Sequence, residues 1–499
     1  MTPPPWPLWT EAERSPGPVP PELPTTVPPM TRQRRRCSTA SRLVPRLATA
    51  CAFLLTAVAC SGADQGIVGP STAPTTAATR GDTTTVDTAS VDTGPVASPG
   101  PPTSDPEPAV AEVELGVERL VAEGFGALEG RRVGLITNQV SMVGDRHLID
   151  WMHEAREVEL VRVFAAEHGV RGVAGAGEAI GDGVDDATGI EIRSLYGTTR
   201  QPTVEMLEGI DTIVFDLQDV GTRYYTYTAT MGLAMQAAAA ADVTFMVLDR
   251  PNPLGRVVEG DLRVDTQTSF ISQYPTPSLH GLTSGELARM IVGELWLPGL
   301  DGLDLEVLSM RGWAGEPWAD TDVSWIPPSP GLRTSTAATT YPTVVWFEAS
   351  TLSYGAGTDR AFRAVGAPWL DVDAVIADLE ERTLPGVRFA EIELSPMDIT
   401  DVVVDPRFEG QNLPGIEVII TDLAAYQPSA TGLHLLDAIT NSADGRTVID
   451  RPAVFDLLAG TERVRRQLEA GDPVSEITGG WDDAAAEFQA RSFAYLLYP

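Results

Sequence analysis

The sequence predicts an α/β protein: an open, doubly wound, mostly parallel sheet followed by a smaller α+β region, with a cleft between them. Three observations carry this. Short, mostly apolar runs recur from Val113 onward, each ending in a polar or charged residue. Stretches of helical composition lie between these runs. Near Ala319 the pattern changes to a proline-rich crossing and then to helices with only a few strands. Strands alternating with helices build a parallel sheet, and strands buried on both faces read as near-continuous apolar runs.

The first 112 of the 499 residues stand outside that fold. Residues 1–60 read as an export segment. Residues 1–29 are proline-rich and aperiodic, and Met30, followed by Arg32, Arg34, Arg35 and Arg36, makes a better start than Met1. Leu47–Ala59 is apolar but too short to span a bilayer as an ordinary helix. A basic stretch, a short apolar stretch and small residues before a cut describe a secretory signal. The cut reads Ala57-Val58-Ala59-Cys60, which resembles a bacterial lipobox and makes Cys60 the lipid-modified first residue. Ordinary cleavage and an uncleaved anchor are the alternatives. Residues 61–112 are rich in Thr, Ser, Pro, Gly, Ala and Asp and cannot bury enough apolar surface to fold. They read as a disordered stalk. The folded part is thus expected outside the cell, tethered by lipid to the outer face of the membrane.

Residues 113–318 carry the sheet. The expected strands are Arg132–Thr137, ending at Asn138; Leu160–Ala165, ending at Glu167 and His168; Thr212–Phe215, ending at Asp216; and Val243–Leu248, ending at Asp249. Helices are expected over Asp145–Arg156 and Thr226–Ala241. Open α/β sheets bind ligands outside the carboxyl ends of their strands. Asn138, Glu167, His168, Asp216, Asp219 and Asp249 are therefore expected on one rim. Helix caps and turns also use Asp and Asn, which is the plainer reading of each residue alone. The glycine-rich stretch from Gly169 to Gly177 lacks G-x-G-x-x-G spacing and reads as a mobile loop over the rim. No G-x-S-x-G elbow is present.

Residues 319–499 form the auxiliary region. A helix is expected over Asp371–Leu384, strands over Val387–Leu394 and Ile416–Thr421, and helices from Thr431 onward. Asp483–Tyr498 is amphipathic, with Phe488, Phe493, Leu496 and Leu497 on one side.

Composition narrows the chemistry. A net charge of -34 disfavours nucleic acid as a partner. The chain contains no lysine, which excludes Schiff-base, P-loop and Ser-Lys chemistry. Its cysteines are Cys37, Cys51 and Cys60, so the folded part has no thiol nucleophile, disulfide or Cys-bound metal. The five histidines form no H-E-x-x-H pair, and no metal or other cofactor is expected; only a carboxylate-bound hard cation stays open. What remains is carboxylate, hydroxyl, arginine and single-histidine chemistry.

Several stretches resemble one family. They are Ile136-Thr-Asn-Gln139, Ala166-Glu-His-Gly-Val-Arg-Gly172, Ser194-Leu-Tyr-Gly197, Phe215-Asp-Leu-Gln-Asp-Val-Gly-Thr-Arg-Tyr-Tyr-Thr-Tyr227, Leu248-Asp-Arg-Pro-Asn-Pro-Leu-Gly255, His280-Gly-Leu-Thr-Ser-Gly-Glu-Leu-Ala288 and Gly366-Ala-Pro-Trp369. Together they look like the exo-β-N-acetylmuramidases of the NamZ type, glycoside hydrolase family 171, over nearly all of 113–499. The resemblance implies a Rossmann-like domain plus an auxiliary domain with the active site between them, and no redox cofactor. It also implies release of β-1,4-linked N-acetylmuramic acid from the non-reducing end of peptidoglycan fragments. Ala166 stands where the family has proline, and Gly331-Leu332-Arg333 where it has Asn-Met-Pro. In the loop Glu348–Thr358, Thr351, Tyr354 and Ala356 replace asparagine, glutamate and arginine.

Glycoside hydrolysis needs one group to protonate the leaving oxygen and commonly a second carboxyl. Glu167 is the candidate acid, since it follows a buried strand where desolvation favours a protonated carboxyl. His168 is placed to orient substrate or share protons. Asp216 and Asp219 are candidates for the second carboxylate or for binding sugar hydroxyls, and equally for fixing the turn to Thr226. The lactyl carboxylate of N-acetylmuramic acid calls for a guanidinium, and Arg171 and Arg223 are the rim arginines best placed for it. Tyr224, Tyr225 and Tyr227 offer stacking faces. Asn138, Asp249, Arg250 and Asn252 complete the expected substrate contacts. Glu259 and His280 read as structural. A non-catalytic lipoprotein that binds muropeptides or sugars in the same cleft is the other function this sequence allows.

Overall fold

The computed structural model describes residues 112–171, 181–400 and 402–499. The export segment with Cys60, the stalk up to residue 111 and residues 172–177 of the glycine-rich loop lie outside the described residues.

The first region is built on a seven-stranded sheet: β1 (Arg132–Thr137), β2 (Glu159–Ala165), β3 (Gly183–Val184), β4 (Glu191–Ser194), β5 (Thr212–Asp216), β6 (Thr244–Leu248) and, after the short strands β7 (Val258–Glu259) and β8 (Leu279–His280), β9 (Leu305–Leu308). The spatial order is β9-β6-β5-β1-β2-β4-β3. Only β3 runs antiparallel to its neighbour. Counting the parallel strands in chain order gives 3-2-1-4-5-6, the doubly wound arrangement whose direction reverses between β1 and β5.

The strand residues explain why the sheet is covered on both faces. Ile136, Phe164, Ile213, Phe215, Phe245 and Val247 point into one apolar cluster. Val133, Leu135, Val163, Val214, Met246 and Leu248 alternate with them and point into the other. Successive side chains of a strand face opposite ways, so each face needs its own layer. On the first face lies α3 (Thr226–Ala241), whose small alanines let Tyr227, Met231 and Met235 approach the sheet. On the second lie α1 (Gly116–Ala122) and α2 (Leu148–Glu154), through Val117, Leu120, Leu148 and Ile149. After β8 the chain continues into α4 (Ser284–Gly293), opened by a Thr283–Glu286 capping box.

The second region holds α5 (Ser335–Val344), a three-stranded antiparallel sheet of β10 (Ala364–Gly366), β11 (Val387–Leu394) and β12 (Leu413–Ile420) with β12 central, and α6 (Val372–Arg382). Then come α7 (Pro428–Ser442), α8 (Pro452–Ala459), α9 (Arg463–Ala470), α10 (Val474–Ile477) and α11 (Trp481–Ser492). Its buried Val345, Trp346, Phe347, Ile416 and Leu433 join the same cluster as Phe215 and α3. The two regions therefore share one core layer, and burial of that layer ties their stabilities together.

One expectation about the C-terminal stretch fails. Phe493 is 75% exposed rather than packed beside Phe488. The helix α11 ends at Ser492 and the chain tightens into a 3-10 turn over Phe493–Tyr495, which breaks the helical phase. The following residues dock on the first region instead. Arg289 donates to the carbonyls of Tyr495 and Leu496, and Glu286 accepts from the Leu497 amide.

Candidate active site

The carboxyl ends of β1, β2, β5 and β6 form one rim, and the polar residues there divide into two groups with different partners.

At the end of β2, Glu167 is half-buried and its carboxyl is gripped on both oxygens. The Tyr196 hydroxyl donates to Oε1 (2.8 Å) and the Thr226 hydroxyl, in the first turn of α3, donates to Oε2 (2.7 Å). Beside it, His168 is buried with a left-handed backbone, φ 73°. A non-glycine residue there is strained and is held by its surroundings. Asn138 lies behind this group. Its amide donates to the Tyr227 hydroxyl (2.8 Å), which in turn donates to the Pro328 carbonyl (2.6 Å). Asn138 is fully buried, so it props Tyr227 rather than touching substrate as expected.

Aromatic rings make the floor. Tyr225 packs edge-on to Tyr227 (5.0 Å between centroids) and to Tyr341 of α5 (6.1 Å). Tyr341 also meets Tyr224 (5.7 Å) and Phe362 (4.9 Å). Burial pushes the hydroxyls of Tyr224, Tyr225, Tyr227 and Tyr341 well up from the usual tyrosine range, so they stay protonated and available as donors. Around this floor stand three carboxyls. Glu167 and Asp219 both exert their charge on Tyr225 and Tyr227. The third, Glu348, comes from the short 3-10 turn after α5 and is pushed up to about 7, first by burial, against the pull of Arg451 and with a further push from Glu167.

The second group closes on itself. Asp216, expected as a catalytic carboxylate, is fully buried and accepts from both Nε (2.6 Å) and Nη2 (3.1 Å) of Arg250. That bidentate pair occupies Asp216 and removes Arg250 from the expected substrate contacts. Asp249, also expected to bind substrate, accepts from Thr283 Oγ1 (2.7 Å), the Gly285 amide (2.8 Å) and the Tyr498 hydroxyl (2.7 Å). Burial outweighs these donors and pushes its carboxyl up to about 6. Asn252 fixes its own loop, donating to Leu282 O and accepting from Leu254 N.

The two arginines expected to bind a carboxylate are likewise placed elsewhere. Arg223 is buried and donates to the carbonyls of Asp261 (2.9 Å), Thr276 (2.7 Å) and Leu458 (2.9 Å), pinning α8 to the first region. Arg171 pairs with Asp185 (2.7 Å) and Asp150 (3.0 Å). Glu259, read as structural, accepts from the Ser429 and Ala430 amides and so caps α7. Among the described residues no group of three His, Cys, Asp or Glu is arranged to hold a metal.

A three-carboxyl, tyrosine-floored site at the reversal rim suits glycoside chemistry, and comparison with known proteins decides the family. The model of the exo-β-N-acetylmuramidase NamZ N-terminal region matches residues 133–336, and that of its C-terminal region matches 339–498. The chain belongs to this family.

The peptidoglycan β-N-acetylmuramidase NamZ of Bacillus subtilis (strain 168) is 34% identical over 390 residues, covering 78% of this chain and 92% of that protein. A crystal structure of a DUF1343 family protein from Bacteroides fragilis NCTC 9343 superposes with a TM-score of 0.71 at 34% identity, over 79% of this chain and all (100%) of that one. A second DUF1343 protein of the same organism gives a TM-score of 0.62 at 29% identity, over 77% and 99%. The two NamZ models meet inside α5, the helix that delivers Tyr341 to the site.

Sequence reasoning missed Tyr196, Thr226, Tyr341 and Glu348. Three had a visible signal. Tyr196 lies in Ser194-Leu-Tyr-Gly197, Thr226 in the stretch Phe215–Tyr227, and Glu348 opens the loop that departs from the NamZ pattern. In that loop Tyr354, standing where the family has glutamate, stacks on Phe362 (4.8 Å between centroids) and extends the aromatic floor.

Proposed function

We propose that this chain is an exo-acting glycoside hydrolase that releases β-1,4-linked N-acetylmuramic acid from the non-reducing end of peptidoglycan fragments. The observation that carries this reading is Glu167, a carboxyl held by two hydroxyls at the rim of a NamZ-family fold, within electrostatic reach of Glu348. Protonated, Glu167 gives its proton to the glycosidic oxygen as that oxygen leaves the anomeric carbon. The remaining carboxyls offset the positive charge that develops on the sugar ring, and the tyrosines supply a stacking face. The lactyl carboxylate is met by arginines other than those first expected. Arg200 lies over the Phe270 ring (4.5 Å) and its charge reaches the Tyr196 hydroxyl; that of Arg451 reaches Glu348.

Release of free sugar from a synthetic N-acetylmuramic acid β-glycoside tests this, with Glu167→Gln as control. Turnover that disappears in the variant while sugar binding persists is the expected result. Micromolar binding by the unaltered chain without turnover would instead assign a muropeptide-binding protein.

The lipid anchor is part of the same proposal and is supported by the sequence Ala57-Val58-Ala59-Cys60. A Cys60→Ala chain is expected to leave the membrane fraction of the producing cell; one that stays there would contradict lipid tethering at Cys60.

A further inference from the structure

The turn Leu217–Thr222 and the strand β8 lie side by side. The His280 amide donates to the Gly221 carbonyl (3.2 Å), the Arg223 amide donates to the Ser278 carbonyl (2.8 Å), and Thr222 bridges Leu279. Gly221 is needed in this turn, because its φ is 77° and a Cβ would lie 2.2 Å from Asn252 Oδ1. The pairing brings His280 Nε2 to 3.7 Å from Asp219 Oδ2, and both side chains are more than nine-tenths buried.

Their hydrogen bonds are only half complete. Asp219 Oδ2 accepts from the Gly221 amide (2.7 Å), while Oδ1 is buried with no partner. His280 Nδ1 accepts from the Leu282 amide (3.2 Å), so the ring proton sits on Nε2, and that Nε2 is also buried with no partner. The 3.7 Å gap is too long for a hydrogen bond between the two. An acceptor and a donor left open side by side complement one group that both donates and accepts. The pair belongs to the site, since the Asp219 turn runs directly into Tyr225, whose amide donates to the Thr222 carbonyl (3.2 Å) and whose ring packs on Tyr227 and Tyr341. Asp219 also acts on the same Tyr225 and Tyr227 as Glu167.

We infer that Asp219 and His280 form the subsite for one O–H group of the reaction, with Asp219 Oδ1 accepting from that hydroxyl and His280 Nε2–H donating to it. This rests on the glycosidase reading and extends it to two residues with defined roles. Two sources fit this O–H. As the attacking water, its oxygen bonds to the anomeric carbon, its proton passes to Asp219, and the glycosidic oxygen leaves with the proton of Glu167. As a sugar hydroxyl, it is bound and not transformed.

Two variants of the full chain separate these sources. Asp219→Asn keeps an oxygen for the Gly221 amide but turns the open acceptor into a donor. His280→Asn keeps an acceptor for Leu282 and removes the Nε2 donor. If the O–H is water, Asp219→Asn lowers kcat at least 100-fold with KM within twofold, and added azide restores sugar release as the glycosyl azide. If it is a sugar hydroxyl, both variants raise KM and weaken binding of free N-acetylmuramic acid at least tenfold, and azide does nothing. Values within twofold of the unaltered chain in kcat, KM and sugar affinity overturn the inference.

A crystal structure of the unaltered chain soaked with N-acetylmuramic acid tests the pair independently of how the variants fold. An oxygen within about 3.2 Å of both atoms supports the pair, and an empty gap or a direct Asp219–His280 bond overturns it. Failure of the unaltered chain to release sugar would defeat the glycosidase reading, while the soaked structure would still decide the subsite.

Discussion

The rim carries two charged clusters, and they differ in what their charges meet. At the ends of β5 and β6, Asp216 meets Arg250 on both oxygens, and Asp249 meets three donors. At the end of β2 and in the turn after β5, Glu167 is held but faces other carboxyls, and Asp219 and His280 keep open atoms. Both clusters sit where a doubly wound sheet binds ligands. Position alone therefore does not separate scaffold from site; the kind of partner does: a guanidinium and a full set of donors at Asp216 and Asp249, neutral hydroxyls at Glu167, and unmatched atoms at Asp219 and His280.

The sharpest test of this contrast sets one residue of each cluster against the other. Glu167→Gln is expected to lower turnover by ~10²–10⁴-fold, the range for loss of a general acid, with the melting temperature nearly unchanged. Arg250→Met is expected to act the opposite way. It leaves Asp216 buried and uncompensated, which costs about 3–5 kcal/mol of stability. Urea unfolding measures the loss, and Arg250→Met with Asp216→Leu should recover much of it. Equal loss of stability in Glu167→Gln, or none in Arg250→Met, would break the distinction.

How much of this was legible in the sequence follows from the range of each interaction. Strands β1, β2, β5 and β6 were legible because burial on both faces leaves an apolar run that needs no tertiary knowledge. Strands β4 and β9 were not: β4 reads Glu191-Ile-Arg-Ser194 and pairs its charges with Arg162 and Asp182, and β9 is a half-buried edge strand. Glu167 was legible as the polar end of a strand. The partners of the rim charges were not, because Asp216 finds Arg250 34 residues away and Arg223 finds Leu458 235 residues away. Glu348 was hidden for the same reason, since only tertiary packing brings it within reach of Tyr224, Tyr341 and Glu167.

Smaller effects sharpen the same comparison. Tyr498→Phe removes one donor from Asp249 and leaves an oxygen of a buried carboxylate less satisfied, which should cost about 1–3 kcal/mol in chemical unfolding and leave KM unchanged. Glu348 bears on pH. Its folded carboxyl is raised from 4.5 to about 7, so between those values the folded chain holds a proton that the unfolded chain has released. Its contribution to stability therefore falls as pH rises from about 4.5 to about 7. Asp249 and Glu259, raised to about 6 and about 7, act in the same sense. Glu348→Gln should flatten the decline in melting temperature over this window and remove any kinetic limb near pH 7. A variant with the unaltered pH profile would count against Glu348 as a titrating member of the site.

The docking of Tyr498 on Asp249 also bears on synthesis of the chain. The two residues are 249 positions apart, yet one completes the other's surroundings. A chain still emerging from the ribosome carries β6, Thr283 and Gly285 long before it carries Tyr498, so Asp249 lacks its third donor until then. Full satisfaction of Asp249 thus comes after every strand of the sheet has been made, through a contact of very long sequence separation. A nascent chain arrested short of Tyr495 is expected to stay protease-sensitive around β6 and β9 until the tail is supplied.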